Sequence, residues 1–228
     1  MTSIALKSFM QSMEEIKTLL TLLPSGNLRK NRATSDAINR AATVLLVSHF
    51  ENYLKSLAEE FIEDISQSGK CVETISQGLR ELYFQPRLDE ILRCNNPQQR
   101  MRLNQKLEEF NCLWKNGAKL PPRLLEARVL SRTITAARSE VIDQLFSYFG
   151  ADKNQPVTAG SIDIKIPNEG PTVANIRRSL EDIIGCRNRI AHGDRDAIPT
   201  DQDVKRYRLF LEEFARRLDK QEESLRSP

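Results

Sequence analysis

At 228 residues, 39% apolar and 29% charged, the chain can bury one sizeable core, and its length permits one large domain or two small ones. No run approaches the roughly 18 uninterrupted apolar residues of a membrane span. Lys7, Glu14 and Glu15 interrupt the apolar residues near the N-terminus, so that stretch lacks a secretory pattern and a cytoplasmic protein is expected. A net charge of +3 permits nucleic-acid binding without arguing for it.

With nine glycines and ten prolines, long helices are the natural reading. Leu6, Phe9, Met13, Ile16, Leu20 and Leu23 recur at steps of three and four, which predicts a first helix over 3–23 with a long apolar seam. Pro24 to Asn27 ends it, and the basic cluster Arg29, Lys30 and Arg32 follows. Thr34, Ser35 or Asp36 is expected to cap a second helix reaching about Ile65, whose stripe is Leu46, Phe50, Tyr53, Leu57 and Phe61. Glu51 lies about 100° from Phe50 and borders that stripe. His49 has no ligand-spaced neighbour and reads as a packed or interface histidine.

Residues 72–93 predict one or two helices broken near Pro86, and Pro97 suits the first position of a helix reaching Trp114. Leu124 to Phe149 predicts one more helix, stopped by Gly150. From Lys115 to Arg138 six basic residues face a single acid, Glu126, and Arg128 and Arg132 are expected to share a helical face. These cations, like Arg29, Lys30 and Arg32, are candidate phosphate contacts, with a solvated basic face as the alternative. Ile162, Ile164 and Ile166 alternate with polar residues, a short extended segment in a loop over 151–171. Thr172 is then expected to cap a helix, and a last helix opens at Pro199–Thr200, with Thr200 and Asp203 at capping-box spacing. Its stripe is Val204, Tyr207, Leu211, Phe214 and Leu218, and a frayed tail is expected from Gln221.

The four cysteines show neither a CxxC pair nor a flanking His, which argues against a zinc or redox site. No GxxxxGK, HExxH or GxSxG motif occurs, and scattered carboxylates argue against a two-metal nuclease; no cofactor or metal is expected. What remains is Gly185 to Asp194, with one of only two histidines in the chain. Val173, Ile176, Leu180 and Ile183 read as one apolar helical stripe, and four residues further Arg187 extends it. A guanidinium there needs a carboxylate or a bound phosphate. His192 follows five positions later, about 140° around a regular helix. The two side chains converge only if the helix bends or ends between them, or if a second copy supplies one. As a pair they suit RNA: His192 can move a proton at the 2′-hydroxyl or leaving oxygen while Arg187 holds the phosphate and Asn188 orients either group. A salt-bridged Arg187 and a capping His192 are the structural alternative.

Arg187-Asn188-Arg189-Ile190-Ala191-His192 resembles the motif of the HEPN superfamily, an Arg followed at short spacing by a His at the end of a helix. The stretch Ser48-His49-Phe50-Glu51-Asn52-Tyr53-Leu54 is similar to the aromatic-Glu-x-Tyr segment on the first long helix of such domains, and the RiboL-PSP-HEPN type is the nearest subgroup. The resemblance implies an all-α helical bundle and a metal-independent endoribonuclease with a homodimeric active site, serving as a toxin or in antiviral defence, with an antitoxin or sensor protein as partner. It makes Arg187 and His192 catalytic, Asn188 supporting and Glu51 a polar partner facing the motif, while Arg189 joins the candidate RNA contacts. Some toxins of the superfamily carry a modifiable Tyr two residues after the motif His; Asp194 stands there, so that control does not carry over. On this reading the chain is a single helical domain over 1–228. Residues 1–33 form an N-terminal helix and basic loop, 70–150 a helical insertion, and 151–171 a loop. A non-catalytic HEPN-type nucleotide- or RNA-binding interaction module is the alternative.

Overall fold

The structure, a computed structural model, describes residues 2–23, 28–166 and 170–226, and the backbone alone for 28–31. The Pro24 to Asn27 loop and the side chains of Arg29 and Lys30 therefore lie outside the described residues. Helix α1, Ile4–Thr21, is capped by the Ser3 hydroxyl and buries Leu6, Phe9, Met13 and Ile16. Helix α2, Leu28–Ser68, is the 41-residue axis of the bundle. It starts well before the expected cap at Thr34 to Asp36. Leu28, Arg29, Lys30, Arg32 and Ala33 all favour helix, and the cap-type residues sit inside it, where Arg32 pairs with Asp36 at 3.9 Å.

Helix α3, Gln77–Arg93, runs through Pro86 without the expected break. Without an N–H, Pro86 leaves the Leu82 carbonyl short of its helical donor, a local loss that the rest of the helix tolerates. The Arg87 guanidinium donates to the Tyr83 carbonyl at 2.5 Å. Asn96 caps helix α4, Pro97–Glu108, after which the chain tightens into a 3-10 turn over Glu109–Trp114. The single helix expected over 124–149 is two, α5 Ala127–Ser131 and α6 Ser139–Phe149. The β-branched run Thr133-Ile134-Thr135 is a poor helix former, and the connecting segment buries Ile134 and Ala137 in the core. Gly150, at φ 107°, closes α6 as expected.

The extended segment is a hairpin: β1, Ser161–Ile166, pairs antiparallel with β2, Gly170–Asn175. Ile162 and Ile164 face the core, whereas Val173 is 70% exposed in β2 and is no part of a helical stripe. Thr172 pairs with Ile164 in the hairpin, and the cap of helix α7, Ile176–Ala191, is Asn175, which accepts from Arg178 N–H at 3.1 Å. Helix α8, Asp201–Arg226, opens on the predicted reciprocal cap: Thr200 N–H donates to Asp203 at 3.0 Å and Asp203 N–H to the Thr200 hydroxyl at 3.1 Å. α1, α2, α7 and α8 share one core, where Tyr53 donates to the Ala215 carbonyl and Phe50 packs on Phe9 and Phe214.

The tail does not fray at Gln221. Arg226 pairs with Glu60, Asp64 and Glu222, and Ser3 donates to Asp219. Burial, then the carboxylates of Glu60 and Asp219, push Glu222 up to about 8 from an ordinary 4.5; one guanidinium shared among three acids does not offset them. Because the folded value lies above the unfolded one, this contribution is fully present below about pH 4.5 and lost as pH rises through about 8. Thermal melts of the wild type should therefore lose stability from pH 5 to 8, and Glu222→Gln should flatten that loss. Equal slopes in the two proteins would contradict the assignment.

Candidate active site

Along α7, Ile176, Leu180, Ile183 and Ile184 are buried against the bundle. Arg187, one turn after Ile183, extends this face onto α2, where its Nη2 donates to Glu51 Oε1. The pair is only 23% and 20% exposed. Glu51 is set there by its neighbours, since Phe50, Tyr53 and Leu54 are buried in the core and fix the rotation of α2. Arg187 Nε is buried without a hydrogen-bond partner among the described residues.

The other half of the motif closes the helix. His192 is the C-cap of α7, its N–H donating to the Asn188 carbonyl at 2.9 Å. Gly193, at φ 80°, takes the left-handed position, and two bonds complete a Schellman turn: Gly193 N–H to Ile190 O at 3.0 Å and Asp194 N–H to Arg189 O at 2.9 Å. Asp194 braces the turn further, accepting from Arg189 Nε at 2.7 Å and from Asp196 N–H at 2.9 Å. The hydrogen bond from Arg189 holds the Asp194 carboxyl below its ordinary range. His192 itself is exposed. α7 is regular through Arg187 to Ala191 and His192 is its C-cap, so helical spacing sets Arg187 and His192 about 140° apart around the axis.

Sequence reasoning missed Arg40. Its Nη1 donates to the carbonyls of Asp194 at 2.7 Å and Ala197 at 3.0 Å, clamping the turn that follows His192. Arg40 and Glu51 are eleven residues apart on α2, which places them within about 20° of one face. Both ends of the motif are thus gripped by one helix, Arg187 by Glu51 and the turn after His192 by Arg40. A charged residue in register with Val44, Val47 and Glu51 was the available signal. Arg40→Met should free the turn. With only two histidines in the chain, the imidazole C–H resonance of His192 should move toward its unstructured position while that of His49 stays. Two unmoved resonances would rule Arg40 out as the anchor.

The remaining candidates lie apart or are engaged elsewhere. Asn188 is half-buried and joins the helix end through its carbonyl. Arg189 is exposed but tied to Asp194. Arg128 and Arg132 are exposed and stand one helical turn apart on α5, Arg132 N–H donating to the Arg128 carbonyl at 3.2 Å as its C-cap. Arg32 is exposed on the first turns of α2. His49 is packed toward α1, its Nε2 3.2 Å from Glu15. Cavities of about 710 Å³ beside Cys94 and about 680 Å³ between Lys17 and Arg206 take in neither Arg187 nor His192. Among the described residues no cluster of His, Cys, Asp and Glu is placed to hold a metal ion, and no helix is long and apolar enough to cross a membrane.

Searches of curated proteins and of solved structures each found no match to the chain. The family model described as RiboL-PSP-HEPN matches residues 9–223, from within α1 to the last turn of α8. The matched range encloses the Arg187–His192 motif, Glu51 and the middle helices. Function in this family is RNase- or RNA-related. The all-α bundle with its small hairpin, and a family match over nearly the whole length, show that this chain belongs to the RiboL-PSP-HEPN family of the HEPN superfamily.

Proposed function

We propose that the chain is a metal-independent endoribonuclease cutting RNA at a composite site in a homodimer, as a toxin or antiviral defence effector under an antitoxin or sensor protein. One observation carries this reading. Arg187 is held by Glu51 of α2 and the turn after His192 by Arg40 of the same helix, while their spacing sets the two about 140° apart around α7, an arrangement suited to one copy lending a guanidinium and its neighbour an imidazole. In such a site His192 takes the proton of the 2′-hydroxyl, or returns one to the leaving 5′-oxygen. The 2′-oxygen then attacks phosphorus, the bond to the 5′-oxygen breaks, and a cyclic phosphate and a 5′-hydroxyl result. Arg187, already fixed by Glu51, stabilises the charge that builds on the phosphate oxygens, and Asn188 orients the reacting groups.

The test is cleavage of mixed cellular RNA in EDTA by wild type, Arg187→Ala and His192→Ala, with cell growth on induction followed in parallel. Cleavage and toxicity that survive EDTA and vanish in both variants are expected. Well-folded wild type that cuts nothing, or variants that cut as well as it does, would contradict the proposal. RNA binding without turnover would assign the motif to a non-catalytic interaction module instead. A strictly monomeric species in sedimentation at micromolar protein would count against a shared site.

A further inference from the structure

The motif leaves the middle region unexplained, and there the chain's single tryptophan stands 44% exposed at the end of the 3-10 turn. The guanidinium carbon of Arg80, from α3, lies 5.4 Å over the Trp114 ring, and the Phe84 ring meets it edge-on at 5.9 Å and 81°. Arg80 is itself fixed, donating from Nη1 to the Leu113 carbonyl at 3.3 Å. An indole braced by a cation and an aromatic ring while nearly half of it remains open to solvent is a restrained π-surface.

The charge around it has a direction. From Trp114 the chain continues through exposed Lys115, Lys119, Arg123, Arg128 and Arg132. At the far end of that strip the Ser131 hydroxyl donates to Glu59 at 2.7 Å, which seats α5 on α2. Glu59 is eight residues, or about 12 Å along the helix axis, from Glu51. The acids near Trp114 include Glu73, which is engaged by the Gly117 N–H, and Glu126 is the single acid from Lys115 to Arg138. Arg123 holds a left-handed backbone, φ 66°, the only such non-glycine residue among those described. Strain of this kind persists where something other than stability selects it.

We propose that Trp114 and Arg80 form a stacking platform for an unpaired base of single-stranded RNA, the cations that follow carrying its backbone toward α2 and the motif. Every base has a π-face, so such a platform tolerates sequence, and a duplex hides the faces it needs. The platform presupposes RNA as the ligand under the proposed function but requires no cleavage. An acidic protein would satisfy the cations equally well and leave the indole unstacked.

Full-length protein in EDTA is titrated with a 2′-O-methyl uridine dodecamer, which cannot be cut through its 2′-oxygen, and with a duplex RNA of equal length. Trp114 emission and the anisotropy of a labelled oligomer are both read. The dodecamer should quench the emission with the same midpoint as the anisotropy. Trp114→Ala should weaken its binding by roughly five- to a hundred-fold, Trp114→Phe by less and Arg80→Met by several-fold, with duplex affinity unchanged. Emission unmoved at saturation, or Trp114→Ala binding the dodecamer like wild type, would overturn the platform. Equal quenching by a polyglutamate peptide would overturn it too and reassign the surface to a protein partner. Cleavage of unmodified RNA is scored separately, so quenching without cleavage defeats the ribonuclease and keeps the platform, while cleavage without quenching does the reverse.

Discussion

His192→Ala should slow EDTA-resistant cleavage by about 10²- to 10⁴-fold, the range over which a positioned proton donor or acceptor contributes, while leaving the fold intact. The second half of that statement follows from the structure. The bonds that close α7 at His192 are backbone bonds, made by the N–H groups of His192, Gly193 and Asp194, and the turn beyond is clamped by Arg40 and Arg189. The imidazole is exposed, so its removal uncovers little. A melting temperature within a few degrees of wild type, together with lost cleavage and retained RNA binding, is the expected signature. Cleavage that persists in His192→Ala would remove the imidazole from the chemistry.

Glu51→Ala should do what His192→Ala does not and destabilise the protein. Arg187 would then keep a half-buried charge with no carboxylate, and breaking a fully buried pair in this way costs about 3–5 kcal/mol. At 20% and 23% exposure water recovers part of that, so about 2–3 kcal/mol is expected. For a chain of this size that is a fall in Tm of about 4–12 °C. Cleavage should fall as well, because the guanidinium loses the contact that aims it. Replacing both partners, Glu51→Leu with Arg187→Met, should recover stability but not cleavage. Recovery of both would show the pair to be structural only. An unchanged Tm in Glu51→Ala would mean that Glu51 does not hold Arg187.

The long amphipathic stripes were legible because each is a local regularity: Leu6 to Ile16, Leu46 to Phe61 and Val204 to Leu218 of the stripes are buried, whereas Leu20 and Leu23 at the end of the first are only partly so. Pro97 at the start of α4 and the cap of Thr200 with Asp203 were legible for the same reason. The failures share a cause, which is that the deciding partner is distant in sequence or special in chemistry. Val173 continued a helical spacing by coincidence; its strand forms because β1 pairs with it, and Gly170 and Pro171 conceal the strand pattern. Gln221 onward looked like a loose charged tail because its anchors, Glu60 and Asp64, lie more than 150 residues away. At the motif, the apolar stripe showed that Arg187 needed an anion, and the family resemblance placed Glu51 opposite it. Arg40 stayed hidden because its acceptors are backbone carbonyls, which carry no residue identity to read.

The composite site is tested most directly by mixing two inactive proteins. Arg187→Ala and His192→Ala, each expected to be inactive alone, are co-purified as a heterodimer and assayed on RNA in EDTA. If each site takes its guanidinium from one copy and its imidazole from the other, the heterodimer regains one complete site, and about half the wild-type activity should return. If each chain works alone, every site in the mixture lacks one group, and activity no higher than that of either parent would contradict the account.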